Sequence, residues 1–319
     1  MKFRLFFCLL LSAAQSVAAL TLNAPDRPDD SLIGNPPHQV KYVPAKQEDT
    51  LIDIAVNFKL GQDEIVLANQ SVDRWLPGGG TQVRIPTSFI LPDAPRNGMI
   101  INLPEMRIYY FPADASKVLT FAIGIGREDD WRTPLGRTQI AGKTENPSWT
   151  PPPSIRAEHL ADGDELKPFY PPGPDNPLGL YAFRLRLPGY MIHSTNVVNG
   201  VGMRVSHGCI RMYPDDIEQF FPIVKVGVSV NIVNQPIKVG WYHDTLYMEV
   251  YPQLEEYPAS FEQRLHVALD LIERANGGKM PVIKGSILKT ALEKPTGVPI
   301  ALYERPANIP VVMAPGTGQ

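Results

Sequence analysis

Cysteine is nearly missing from this chain, with two thiols, Cys8 and Cys209, in 319 residues. So few exclude a disulfide-built scaffold. No Cys-x-x-Cys or His-x-x-x-His spacing occurs to suggest a zinc module. There is no long basic tract and the formal net charge is −3, which argues against nucleic acid as a partner. No apolar run reaches the roughly 20 residues that a spanning helix needs. Internal repeats and low-complexity tracts are absent as well. Proline, by contrast, is plentiful at 33 residues, which predicts long stiffened loops and speaks against a helical bundle.

What is there begins with an N-terminus that reads as a secretory signal. Lys2 and Arg4 precede an apolar run over 5–17, and Val17-Ala18-Ala19 offers small residues for cleavage near Ala19. Cys8 lies inside that run and is expected to leave with it. The mature chain then carries one thiol, Cys209, in an oxidising exported compartment, the periplasm. A lone thiol there is either a buried bystander or a reactive group, and the count alone leaves both open.

Residues 20–38 hold Pro25, Pro28, Pro36, Pro37 and several Asp, and read as a linker. A βααβ order follows over 39–86: a strand at 40–43, a helix capped by Asp49 or Thr50 and ended by Gly61, a second helix through Ile65 and Leu67, a turn at Pro77-Gly78-Gly79-Gly80, and a strand at Val83-Arg84-Ile85-Pro86. After a short link the pattern turns to β. Strand-like runs start at Met99, Met106 and Val118, and later cover 181–187, 190–193 and 228–233. The Pro-rich stretch 144–179 reads as a lid or binding loop. A short helix is expected after Pro214. Residues 234–319 form an extension with a strand pair over 241–251, an amphipathic helix over 260–275 and a flexible tail from Pro306.

The chemistry concentrates in Val205-Ser206-His207-Gly208-Cys209-Ile210-Arg211. A thiol attacks a carbonyl as thiolate, and with an ordinary pKa of about 8.5 only a few per cent is ionised at neutral pH. An imidazole nearby raises that fraction. His207 lies two positions before the thiol. His193 lies sixteen before it, at the end of an apolar strand, with a loop between long enough to bring it back over Cys209. Gly208 lets the chain turn sharply and aim backbone N–H groups inward, so the amides of His207, Gly208 and Cys209 are expected to form an oxyanion hole.

His193 followed by Ser206-His207-Gly208-Cys209-Ile210-Arg211 resembles the signature of the L,D-transpeptidase catalytic domain, the YkuD fold, over about residues 97–233. Asp49-Thr50-Leu51, Ile54-Ala55, Asn69, Pro77-Gly78 and 83–86 resemble a LysM module, a small glycan-binding fold, although Glu48 stands where that family usually has glycine. The resemblance implies a mainly β chain: a β-sandwich-like catalytic domain, a small βααβ N-terminal domain and a C-terminal α/β extension. It implies Cys209 as nucleophile, His193 as base and then acid, the Ser194 carbonyl as the group orienting that imidazole, and His207 as a shaper of the site. Arg211 is expected to contact a substrate carboxylate or to brace the loop, and Ser206 to serve binding or the local hydrogen bonding.

The family's chemistry needs no metal or cofactor. Its substrates are peptidoglycan stem peptides, with a second stem, an outer-membrane lipoprotein lysine or water as acceptor. Beside this stand blander readings: a satisfied core His193, a zinc site of His193, His207 and Cys209, an Arg211 that simply pairs with Asp215 or Asp216, a cysteine peptidase, and a silent wall-binding protein. Trp149, Tyr181 and Tyr190 stack on substrate or pack in the core.

Overall fold

A computed structural model of the chain describes residues 20–114 and 116–306. The expected signal over 1–19 and the tail from 307 lie outside the described residues. The reading of 20–38 as a linker is corrected at once. β1 (Leu20–Asn23) and β2 (Leu32–Gly34) are both strands. Their prolines flank the strands without interrupting them, as edge positions allow.

Next come β3 (Lys41–Pro44), α1 (Leu51–Phe58), α2 (Gln62–Ala68) and β4 (Gln82–Ile85), with β3 antiparallel to β4. Thr50 begins α1 through a reciprocal box with Asp53: its hydroxyl accepts from the Asp53 N–H at 3.1 Å, and its own N–H donates to Asp53 Oδ2 at 2.9 Å. Gly61 does not end that helix. Lys59 ends it in the left-handed region, φ 56, and Gly61 instead precedes α2. Leu51, Ile54, Ala55, Leu60, Ile65 and Val83 fill the core of this unit.

The main sheet gathers β6 (Gly98–Asn102), β7 (Arg107–Phe111), β8 (Lys117–Gly126), β9 (Gly136–Glu145), β10 (Tyr181–Leu185), β11 (Met191–His193), β12 (Arg204–Ser206), β13 (Ile210–Met212) and β14 (Ser229–Val233). Before it, β5 (Ser88–Ile90) pairs with β2. From β8 the order runs β13, β11, β10, β9, β14, β6, β7, and β7 pairs again with β8, so the path closes on itself. Phe121, Ile123, Ile192, Ile210, Met212 and Val230 are buried inside it. α4 (Pro214–Phe220) adds Phe220, whose ring packs 5.2 Å from Tyr110 and 4.6 Å from Phe121.

β8 explains its own unbroken apolar run, Val118 to Gly126, which is covered on both faces. Its inward residues join the sheet core. Val118 meets Ile33 and Phe89 on the other face, and Ala122 meets Val201 and Tyr213. β1 pairs along its start.

The Pro-rich stretch is not all loop, for it contains α3 (Pro153–Ala161), begun by a proline at its first turn. The strand pair expected at 241–251 starts earlier, as β15 (Ile237–Tyr242) and β16 (Thr245–Val250). α5 (Phe261–Ala275), α6 (Gly285–Glu293) and β17 (Ile300–Glu304) complete a unit whose core holds Trp241, Leu246, Met248, Ile272 and Leu292.

Candidate active site

Two short parallel strands carry the site. β11 and β13 pair with Ile192 opposite Ile210 and His193 opposite Arg211. Side chains alternate along a strand, so Cys209, one residue before β13, shares a face with Arg211, and His193 shares that face on β11. The pairing of Ile192 with Ile210 sets the end of β11 beside the start of β13, where Cys209 stands. The sixteen-residue spacing therefore resolves into a strand pairing.

His193 is 4% exposed, and its Nδ1 lies 2.6 Å from the carbonyl oxygen of Ser194. A carbonyl only accepts, so Nδ1 carries the proton and Nε2 is left as a free acceptor. Burial pushes the ring's pKa down to about 4, the Arg211 charge adds to this, and the Ser194 bond opposes it. The Cys209 thiol is half-buried and donates to the Gly189 carbonyl at 3.6 Å. Burial raises its pKa, against the smaller opposing pulls of the Met191 N–H and the Arg211 charge. The resting pair is thus neutral imidazole and neutral thiol.

The turn before the nucleophile is built from hydrogen bonds. Ser206 is buried, and its hydroxyl donates to the Cys209 carbonyl while accepting from the Gly208 N–H at 3.1 Å. Of the two expectations for Ser206, its contacts match the local hydrogen bonding, and its one donor is spent within the turn. The expectation for the Gly208 amide needs correction: its N–H is already engaged, so it is not free to hold an oxyanion. Gly208 itself sits at φ 97, and a Cβ there would stand 2.8 Å from the Tyr190 ring. Its carbonyl accepts from the buried Thr133 hydroxyl at 2.9 Å, and Thr133 in turn accepts from the Gly126 N–H at 2.9 Å.

His207 reaches α3. Its Nε2 lies 3.1 Å from Glu158 Oε2, its ring meets Trp131 edge-on at 4.6 Å, and His159 lies 5.7 Å away. Glu158 also accepts from Arg127 Nη2. Thr133, Glu158 and Arg127 went unnoticed in sequence, where nothing local ties them to Cys209. Arg211 does not pair with its acidic neighbours: Asp215 bonds Lys59 at 2.9 Å and Asp216 is buried. Among the described residues Arg211 has no ion pair, and its Nε is buried without a partner. Trp149 is taken by Tyr170, with rings 5.4 Å apart, Tyr181 by Phe221 at 4.8 Å, and Tyr190 lies under Gly208.

A neutral base, a thiol on the same face and an unpaired cation beside both can support acyl transfer to sulfur from an anionic substrate. Comparison with known proteins shows what the chain is similar to. Residues 96–232 match the model of the L,D-transpeptidase catalytic domain, YkuD. The chain is 37% identical over 299 residues to the probable L,D-transpeptidase ErfK/SrfK of Escherichia coli K12, covering 92% of this chain and 94% of that protein. It is 45% identical to the probable L,D-transpeptidase YcfS of the same organism, over 59% of each. A solved L,D-transpeptidase from Mycobacterium smegmatis aligns with 49% of this chain and 64% of its own, at 20% identity and a TM-score of 0.34.

Proposed function

Because the chain belongs to the L,D-transpeptidase family, we propose that Cys209 is the nucleophile of a two-step acyl transfer on peptidoglycan stem peptides. The observation that supports this reading is that β11, which ends at His193, pairs in parallel with β13, which begins one residue after Cys209, and that His193 Nδ1 is held by the Ser194 carbonyl.

In the first step a rotamer change turns Sγ from Gly189 toward Nε2 of His193. Nε2 takes the thiol proton while sulfur attacks the carbonyl of the L-centre residue that precedes the terminal D-Ala. The C–N bond breaks, the D-Ala amine takes the proton from Nε2, and a thioester remains. In the second step an incoming amine gives a proton to Nε2 as its nitrogen attacks the thioester. The C–S bond breaks and the sulfur recovers the proton. A stem-peptide amine yields a 3→3 cross-link and a lipoprotein lysine yields envelope tethering. Water as acceptor would make the enzyme a carboxypeptidase.

With the Gly208 N–H engaged, the oxyanion falls to the neighbouring His207 and Cys209 amides. Arg211 offers its guanidinium to a stem carboxylate. Ser206 and Thr133 hold the turn, and His207 anchors it to α3. We assign the periplasm as the site of action, and residues 39–86 as a LysM-like unit that contacts wall glycan.

The test is mass spectrometry of sacculi incubated with the wild type and with Cys209→Ala. Cysteine-dependent cross-links or lipoprotein adducts support the transfer reaction. Trimmed stems alone point to hydrolysis, and products that persist in the variant sink the assignment of Cys209.

A further inference from the structure

The segment joining His193 to the nucleophile turn does not stand alone. Residues 198–202 lie along the start of α2, in the N-terminal unit. The Gln62 N–H donates to the Val201 carbonyl at 3.2 Å and the Asp63 N–H to the Gly202 carbonyl at 3.1 Å. The Gln62 side chain reaches further, with Nε2 donating to the Asn199 carbonyl. Gln62 is 3% exposed, an unusual degree of burial for an amide unless it has such a partner.

The two backbones touch. A Cβ on Gly61 would stand 2.9 Å from the Gly202 Cα, and one on Gly202, at φ 80, would stand 2.1 Å from the Gly61 Cα. Beside this contact, the Tyr213 hydroxyl, one residue past β13, donates to the Leu60 carbonyl at 2.8 Å.

This loop carries two parts of the site. It starts at Ser194, whose carbonyl sets the His193 tautomer. It also passes Gly200, which is wedged between Arg211 and β8: a Cβ on Gly200 would lie 3.3 Å from Arg211 Nη1, and a Cβ on Gly124 would lie 2.3 Å from the Gly200 carbonyl oxygen. Moving Asn199 moves Gly200, and with it the floor under the guanidinium.

We infer that Gln62 is a positioning residue for acyl transfer, holding the 194–203 loop so that Arg211 and His193 keep their places. The N-terminal unit is then a wall of the active site as well as any carrier of wall affinity. The structural half of this inference stands on the contacts alone. Its catalytic half rests on the reaction proposed above.

Full-length Gln62→Met keeps length and removes the donor, while Gln62→Glu sets a carboxylate against the Asn199 carbonyl. Gln70→Met is the control: that side chain lies in the same unit but bonds the Pro295 carbonyl at 2.7 Å. Hydrogen exchange read by mass spectrometry should be about tenfold faster or more over 194–206 in both Gln62 variants. The rest of the N-terminal unit, and all of Gln70→Met, should stay as in the wild type.

D-Ala release from a tetrapeptide stem should fall about tenfold or more in Gln62→Met. In an Arg211→Ala background the same change should cost clearly less than in the wild type, because the part of the effect carried by Arg211 is already lost. Unchanged exchange over 194–206 overturns the inference. So does faster exchange throughout the N-terminal unit, or a full additional loss in the Arg211→Ala background. Should Gln62→Glu fail to fold, Gln62→Met carries the comparison. If the wild type shows no Cys209-dependent release, the proposed reaction fails while the exchange result still decides the positioning.

Discussion

His193 and Arg211 face each other across two parallel strands, and the guanidinium helps burial hold the imidazole pKa near 4. A cation beside a base is costly unless it serves something else. Among the described residues Arg211 has no acidic partner, so its charge is free for an anionic group that enters from outside. The same charge favours the Cys209 thiolate. It therefore lowers the proton affinity of both reacting groups.

This fixes the sign of a pH experiment. In the wild type the acid limb of kcat/KM should lie near pH 4, well below the ordinary histidine value of about 6.5. Arg211→Gln removes a positive charge from beside both groups, so the acid limb and the thiol limb should each move to higher pH. The maximum rate should also drop, by about tenfold or more, through the lost carboxylate contact. A pH–rate profile of D-Ala release checks this, and a profile that keeps its wild-type midpoints refutes the coupling.

Ser206 should matter through the turn and not through substrate. Its buried hydroxyl serves the Gly208 N–H and the Cys209 carbonyl together. Ser206→Ala leaves both unsatisfied, at a cost of about 1–3 kcal/mol each at most. Chemical denaturation should show that loss. Kinetics should show a fall in kcat with KM little changed, since the nucleophile is misplaced while the binding groups stay. A rise in KM alone would return Ser206 to the substrate.

What the sequence displayed and what it hid follow from range. The string from Ser206 to Arg211 is local, so the nucleophile, the left-handed glycine and a candidate base could be read directly. The pairing of β11 with β13 is non-local, and only the fold turns a spacing of sixteen into a shared face. Thr133 and Glu158 act on Gly208 and His207 from 75 and 49 residues away, with no periodic signal to mark them. β1 reads as linker in the sequence because four residues between the expected cleavage site and Pro25 carry too little pattern to outweigh the Pro- and Asp-rich stretch that follows. Its partner β8 supplies the order. The Gly208 amide was assigned to the oxyanion because a glycine before a nucleophile permits that use, and the competing serine acceptor becomes visible only in three dimensions.

The joint between the N-terminal unit and the main sheet holds a fully buried ion pair, Arg107 to Glu64, at 2.5 Å. Arg107 also donates to the Thr120 hydroxyl at 3.2 Å and stacks over Phe89 at 4.1 Å. Glu64→Gln leaves a buried guanidinium without its counter-charge and should destabilise the chain by about 3–5 kcal/mol. Replacing both partners together, Arg107→Met with Glu64→Leu, should cost far less, because both charges then stay out of the core. Denaturant midpoints of the two proteins test this, and equal losses would mean that the bridge itself, and not the stranded charge, sets the cost.

Asp216 offers a further test, in which the sign of the pH effect is the whole argument. It is buried in the first turn of α4, its Oδ1 has no partner, and burial lifts its pKa to about 7. Lys59 pulls that value down and Asp215 pushes it up. An unfolded aspartate titrates near 3.9. Between about pH 4 and pH 7 the folded chain therefore holds a proton that the unfolded chain has released, and stability falls as pH rises. His193 acts oppositely: its folded value near 4 lies below the unfolded value of about 6.5, so its contribution is lost as pH falls through that window. Asp216→Asn abolishes the first effect and leaves the second. The variant's gain over the wild type should be larger at pH 8 than at pH 5, by on the order of 3 kcal/mol. Thermal unfolding at the two pH values reads the difference. A variant that gains equally at both would show that Asp216 is already ionised in the fold at pH 5, so that its pKa is not raised, and one that loses at pH 8 would show that its ionised form is held by Lys59.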